Sequence, residues 1–178
     1  EITYGDWSSD VCSSDLWSVA GGGISVRLAT ARDHGPILAL LDVLAGEEHA
    51  RDPGHFSERV AELTSAQLDV LLARADDLHL VAEVEGIVAG YLRAWRYELG
   101  GAGGISLMRV RPAVHVQIMV TSAAFRRRGI GRALLERVVA WARAAGAEDV
   151  TLNVASGNAG AQRFYEAVGF GPAAHFLR

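Results

Sequence analysis

Between residues 126 and 131 the chain reads Arg126-Arg127-Arg128-Gly129-Ile130-Gly131, and residues of these types in this order could hold an anion. The first unpaired N–H groups of a helix point outward with partial positive charge, and glycines lack the Cβ atoms that would keep a bulky diphosphate away from the backbone. The three arginines add charge-assisted donors. The string alone does not decide the matter, because three consecutive arginines also suit a solvated surface. Other residue types that could do chemistry are scattered. His115 stands on an alternating apolar segment, where an isolated histidine is either structural or within reach of a substrate. Glu47, Glu48, His49, Asp52 and His55 form an acidic, histidine-bearing stretch that suits either a cationic amine or plain solvation. Tyr165 follows Phe164 and on spacing alone reads as a core aromatic.

A phosphate loop needs a strand before it and a helix after it, and both are predicted. Val114 to Thr121 is apolar and extended, set off by the Arg111-Pro112 pair. From Gly129 to Ala145, Ile130, Leu134, Leu135, Val138, Val139 and Ala142 recur at helical spacing, with Gly146 as the stop. Upstream, Ile24 to Ala29 alternates as a strand. Asp33 is placed to cap a helix with Ile37, Leu38, Leu40, Leu41 and Leu44 on its apolar face, ending near Gly46. Ser57 to Ala75 reads as a second helix capped by Ser57. Leu78 to Glu85 and Val88 to Tyr97 read as a hairpin turning at Gly86. Asp149 to Val154 is a strand, Ala159 to Val168 a short helix, and Phe170 to Leu177 a last strand. The predicted order is β-α-α-β-β-β-α-β-α-β, an α/β (α+β) arrangement with a mixed, mostly antiparallel sheet flanked by helices. The expected division is a tail and glycine linker over residues 1–23 and one folded domain over 24–178.

The 178 residues are half apolar, but no run approaches the roughly 18 to 20 apolar residues of a membrane helix, and the expectation is a cytoplasmic protein without membrane partners. The segment Gly5 to Leu16 has neither period and looks like a translated sequencing-adaptor oligonucleotide, so residues 1–16 are read as non-native. Setting them aside leaves 17 acidic against 17 basic residues, all the latter arginine, and a near-neutral chain is not expected to bind nucleic acid. It also removes Cys12, the single cysteine, so no thiol nucleophile or zinc-thiolate site is expected, and no metal is assigned.

The stretch from Val114 to Phe170 resembles the GNAT superfamily of N-acetyltransferases. The family's R/Q-x-x-G-x-G/A motif matches Arg126, Gly129 and Gly131, and its downstream N-x-x-A-x-x-x-Y and G-F match Asn158, Ala161, Tyr165, Gly169 and Phe170. One departure is that Thr121 and Ala123 stand where relatives commonly have valine and proline. The resemblance implies acetyl-coenzyme A as cosubstrate. Backbone groups at Met119, Val120 and Thr121 would pair with the pantetheine amides, as a strand adds to a sheet edge. The loop Arg126, Arg127, Arg128, Gly129, Ile130, Gly131 and Arg132 would hold the pyrophosphate, and Asn158 would contact the cofactor arm, cap a helix, or both. It also makes Tyr165 the expected general acid, uphill from a thiolate by about 1.5 pK units if both groups are unperturbed. His115 is a candidate base. The implied reaction is direct acetyl transfer to a primary amine of a small molecule or protein in a ternary complex. The alternative is a non-catalytic acyl-coenzyme A-binding module. The acceptor is not specified by the sequence, and a monomer or homodimer is expected.

Overall fold

The computed structural model describes residues 17–18, 23–60, 63–100 and 109–173. Among these residues six strands form one sheet in sequence order: β1 (Trp17–Ser18), β2 (Ile24–Leu28), β3 (Asp77–Val84), β4 (Ile87–Leu99), β5 (Arg111–Thr121) and β6 (Asp149–Leu152). The pairings from β1 to β5 are antiparallel and the β5–β6 pairing is parallel. A parallel neighbour requires a crossover, and helix α3 (Ile130–Ala144) supplies it. The mixed, mostly antiparallel sheet is the expected one. Its two-residue edge strand β1 lies within the segment read as a tail.

Helices cover both faces. On one, α1 (His34–Arg51) and α2 (Ser65–Leu72) bury Ile37, Leu40, Leu41 and Leu68 against Val81, Tyr91 and Val120. On the other, α3 buries Ile130, Leu134, Leu135 and Val138 against Leu80, Leu92, Val114 and Val116, with Phe164 and Tyr165 of α4 (Ala159–Ala167) packed at the margin. The clear helical period of α3 translates directly into this buried stripe. The β3–β4 hairpin turns on Glu85 and Gly86, both with positive φ (53° and 79°). A two-residue turn of that handedness matches the twist of the flanking strands.

Several expected boundaries change; strand β5 starts at Arg111, so the Arg111-Pro112 pair belongs to it rather than setting it off. Helix α1 does not end at Gly46 but continues to Arg51, so Glu47, Glu48 and His49 sit on its last turns rather than in a loop. Helix α2 starts at Ser65, not Ser57. A stronger start signal competes: Thr64 Oγ1 accepts from the Gln67 N–H at 3.2 Å while Gln67 Oε1 accepts from the Thr64 N–H at 2.8 Å, a reciprocal capping box. Asp33 makes no side-chain capping bond to α1; its carboxylate accepts from both Arg27 guanidinium nitrogens at 2.8 Å and from the Thr30 N–H at 2.7 Å. The expected last strand is not formed over residues 170–173, and the rest of it, 174–177, lies outside the described residues.

Candidate active site

Strands β5 and β6 pair from Ala113/Asp149 to Val116/Leu152 and then part, while β5 runs on to Thr121. Past Val116, among the described residues, its backbone has a sheet neighbour only on the β4 side. The parting opens a cleft of about 460 Å³ whose walls include Glu48, Phe56, Met119, Asn153, Asn158 and Tyr165. An open strand edge with paired donors and acceptors suits an extended ligand bearing amides.

At the end of β5 a single 3-10 turn (Ala123–Phe125) leads into the arginine loop, so the turn forms with Thr121 and Ala123 in place of valine and proline. Gly129 takes φ +93°, a conformation that favours glycine, and becomes the N-cap of α3. The first intrahelical bond runs from Ala133 N–H to Gly129 O at 3.0 Å. The N–H groups of Ile130, Gly131 and Arg132 therefore have no acceptor within the helix, as an anion site requires. Ile130 anchors the loop from below: its side chain is 1% exposed, and a Cβ built on Gly90 would stand 2.7 Å from its Cγ2. Gly131 has a packing role besides the expected one. A Cβ there would lie 3.2 Å from Phe164 Cζ, so its absence lets α4 approach α3. Arg126 donates through Nε to Thr121 O at 3.2 Å and through Nη2 to Glu47 Oε1 at 2.6 Å. Arg128 stacks over Phe125 at 5.3 Å, and Arg127 and Arg132 are exposed.

Tyr165 lies in the cleft wall, edge-on to Phe164 and Phe170. Burial pushes its phenol up to about 12. Against a thiol near 8.5 that widens the uphill gap to about 3.5 units, or about 5 kcal/mol, although burial of a thiolate in the same cleft raises the thiol's proton affinity and narrows it. Asn158 caps α4 and lines the cleft. Its Oδ1 accepts from the Ala161 N–H at 3.1 Å and caps α4, while its amide faces the cleft and donates to Glu48 Oε1 at 3.1 Å.

His115 is not brought to the cleft. Strict alternation would put His115 and Gln117 on one face with Met119 and Thr121, but the β4–β5 register slips: Ala94 pairs with Val116 and Arg93 with Ile118. Gln117 is the extra residue of this bulge, and an extra residue reverses the alternation beyond it. Met119 accordingly packs with Val114 and Val116 on the α3 side, whereas His115 sits on the other face, 5.1 Å from the Trp95 ring, with Nδ1 3.0 Å from Thr151 Oγ1. Burial lowers its pKa.

The profile described as the acetyltransferase (GNAT) family matches residues 40–170. The chain belongs to this family. No curated protein sequence matches it. Among solved structures, the chain is similar to a mutant of the BH1408 protein from Bacillus halodurans, with a TM-score of 0.78 at 18% identity over 86% of this chain and 96% of that one. It is also similar to the aminoglycoside N-acetyltransferase AAC(6')-Iy in complex with CoA, with a TM-score of 0.64 at 17% identity over 91% and 97% of the two chains. A third is the aminoglycoside acetyltransferase meta-AAC0020 from an uncultured soil metagenomic sample, in complex with sisomicin, with a TM-score of 0.63 at 16% identity over 88% and 95%. At these identities the likeness is one of fold.

In this acetyltransferase several residues that line or support the cleft escaped the sequence reading. Gln117 and Phe164 were not singled out, because a bulge and an interhelical contact leave no local trace. Glu48 was grouped with the acidic stretch, yet a signal existed: Leu41, Leu44 and Glu48 fall at helical spacing on one face. Once α1 runs past Gly46, Glu48 becomes a carboxylate carried by an otherwise apolar stripe into the cleft. Among the described residues no cluster of histidine, cysteine or carboxylates could hold a metal ion, and no helix is long and apolar enough to cross a membrane.

Proposed function

We propose that this acetyltransferase moves the acetyl group of acetyl-coenzyme A to a primary amine by direct attack in a ternary complex. The observation that carries the reading is the parted β5–β6 edge with half-buried Tyr165 in the cleft wall, together with the unpaired N–H groups at the start of α3, which follows β5 in the chain. The residues present fit the cosubstrate. Backbone at Met119 to Thr121 offers an edge for the pantetheine amides; the N–H groups of residues 130–132, with Arg127, Arg128 and Arg132 exposed beside them, suit a diphosphate; and the Asn158 amide faces the arm. Acetyl-coenzyme A supplies an activated thioester. The chain's own contribution is to hold it extended, to exclude water around the reacting carbon, and to keep a proton on Tyr165 for the sulfur. His115 has no role in this proposal, since it is not among the residues lining the cleft and its ring packs against Trp95 and Thr151. The aminoglycoside acetyltransferases of similar fold support a small amine as acceptor.

Calorimetric titration with acetyl-coenzyme A tests the reading. The full chain is expected to bind, and reversing the charge of Arg127 and Arg128 together is expected to weaken binding by about tenfold or more, with the difference shrinking at high salt. A folded parent that does not bind acetyl-coenzyme A would falsify the proposal. Normal binding and no turnover with any amine would leave the acyl-coenzyme A-binding module in its place.

A further inference from the structure

Among the described residues lining the cleft, Glu48 is the sole carboxylate, and Tyr165 and His55 are the other titratable groups. Glu48 stands on the last turn of α1, its side chain 14% exposed, and its two oxygens are treated differently. Oε1 accepts from Arg51 Nη1 at 2.5 Å and from Asn158 Nδ2 at 3.1 Å, which fixes the plane of the carboxylate. Oε2 is withdrawn from solvent and has no hydrogen-bond partner among the described residues. An acceptor oxygen held in this way is destabilising until a donor reaches it. Protein donors already occupy Oε1, and Glu48 is one of the residues that line the cleft. The negative end of the α1 dipole at this turn adds to the attraction for a cation. His55 is exposed on the loop beyond α1 and packs edge-on against Phe56 at 4.8 Å, so it is not held as Glu48 is.

We propose that the Glu48 carboxylate receives the reacting nitrogen of a cationic primary amine and takes its proton. The assignment rests on the acetyl-transfer reading above. Glu48 is bonded by Arg51 on its own helix and by Asn158 at the α4 cap, and it shares the cleft lining with Tyr165 of α4 and His55 of the following loop; Glu47 pairs with Arg126 and lies 3.8 Å from the same Arg51. The step balances. The nitrogen lone pair forms the C–N bond as the C–S bond breaks, the sulfur keeps the electron pair and takes the Tyr165 proton, and one N–H proton goes to Glu48 and returns through water to the phenolate. A second proton, shed when the ammonium first becomes an amine, leaves to solvent by way of the same carboxylate.

The experiment uses the full chain, acetyl-coenzyme A, and two probes, 1,4-diaminobutane and sisomicin, with thiol release followed from about pH 6.5 to about pH 9.5. Glu48→Gln is expected to keep the acetyl-coenzyme A Kd within about threefold of the parent and to lower kcat/KM for the amine about 100-fold near neutrality. That deficit should narrow as pH rises, because solution then supplies more free amine. Glu48→Asp should recover part of the rate. If Glu48→Gln does not fold, as read by its melting curve, Glu48→Asp decides by the same two readouts. Three results overturn the assignment: a glutamine variant within about threefold of the parent, a deficit equal at every pH, or a loss of acetyl-coenzyme A affinity in proportion, which would mean that Glu48 only holds Asn158. A parent that binds acetyl-coenzyme A but acetylates neither probe also overturns it, whereas a parent that does not bind overturns the acetyl-transfer reading itself.

Discussion

Tyr165 and His115 were both candidates from the sequence, and the structure separates them by where their side chains end. Replacing Tyr165 with phenylalanine removes one hydroxyl from the cleft and leaves the ring contacts to Phe164 and Phe170. The expected outcome is a fall in kcat of about 10²- to 10³-fold with the acetyl-coenzyme A Kd unchanged within about threefold, measured by thiol release and calorimetry. Because burial holds the phenol up to about 12, it stays protonated through the neutral range. The rate should therefore show no alkaline loss from this group until the pH passes about 10. Tyr165 could be named beforehand because it lies in a local motif with Asn158 and Ala161. Strict alternation puts His115 on one face with Met119, but the face of a strand residue depends on every pairing before it, and one bulge at Gln117 separates the two.

The start of α3 is held in place by close packing beneath it, and contacts across the site tie it to α1. Gly90 on β4 passes directly under Ile130 and Leu134, and a Cβ there would also stand 3.3 Å from Val120 O. Backbone cannot yield as a side-chain tip can, so Gly90→Ala is expected to destabilise the protein by about 1 to 3 kcal/mol in urea unfolding and to weaken acetyl-coenzyme A binding by displacing the loop. The Arg126–Glu47 pair links the same loop to α1, with the two side chains 41% and 32% exposed. A diphosphate would compete with Glu47 for Arg126, and exposed pairs of this kind contribute about 0.2 to 1 kcal/mol. Glu47→Gln should accordingly raise acetyl-coenzyme A affinity by up to about fivefold at low salt, and a calorimetric Kd that rises instead would show that Glu47 helps to shape the loop. The strong period of α3 and the glycine at its start made that helix readable. The end of α1 was not, since Gly46 resembles a stop but its backbone continues in the helix, and the start of α2 depended on a capping box outcompeting Ser57.

Across the molecule, stability should follow pH through groups that the cleft does not contain. His79 is 3% exposed and its Nδ1 lies 2.9 Å from the Tyr91 hydroxyl; burial first, and Arg93 second, push its pKa down to about 4. An unfolded histidine takes up a proton near 6.5, so the unfolded state binds more protons between those values and stability falls as pH drops from about 6.5 toward 4, by up to about 3 kcal/mol. Burial pushes Tyr91 up to about 12, and there the folded state keeps its proton while the unfolded chain loses it, so stability falls again as pH rises above about 10. Melting curves across pH should show both limbs, and His79→Gln should flatten the acid one. What the sequence by itself determined is the local part: the strand-loop-helix around Gly129, the cap at Asn158, the tyrosine seven residues on, and the apolar stripes that place helices on both faces. These depend on neighbours within a few residues, where propensity and period act directly. Only the tertiary structure decided that β5 and β6 part after Val116, that Gly131 makes room for Phe164, and that Glu48 reaches the same cleft as Tyr165 from more than 100 residues away. Those outcomes depend on strand register and on the length of one helix, which are settled by long-range packing.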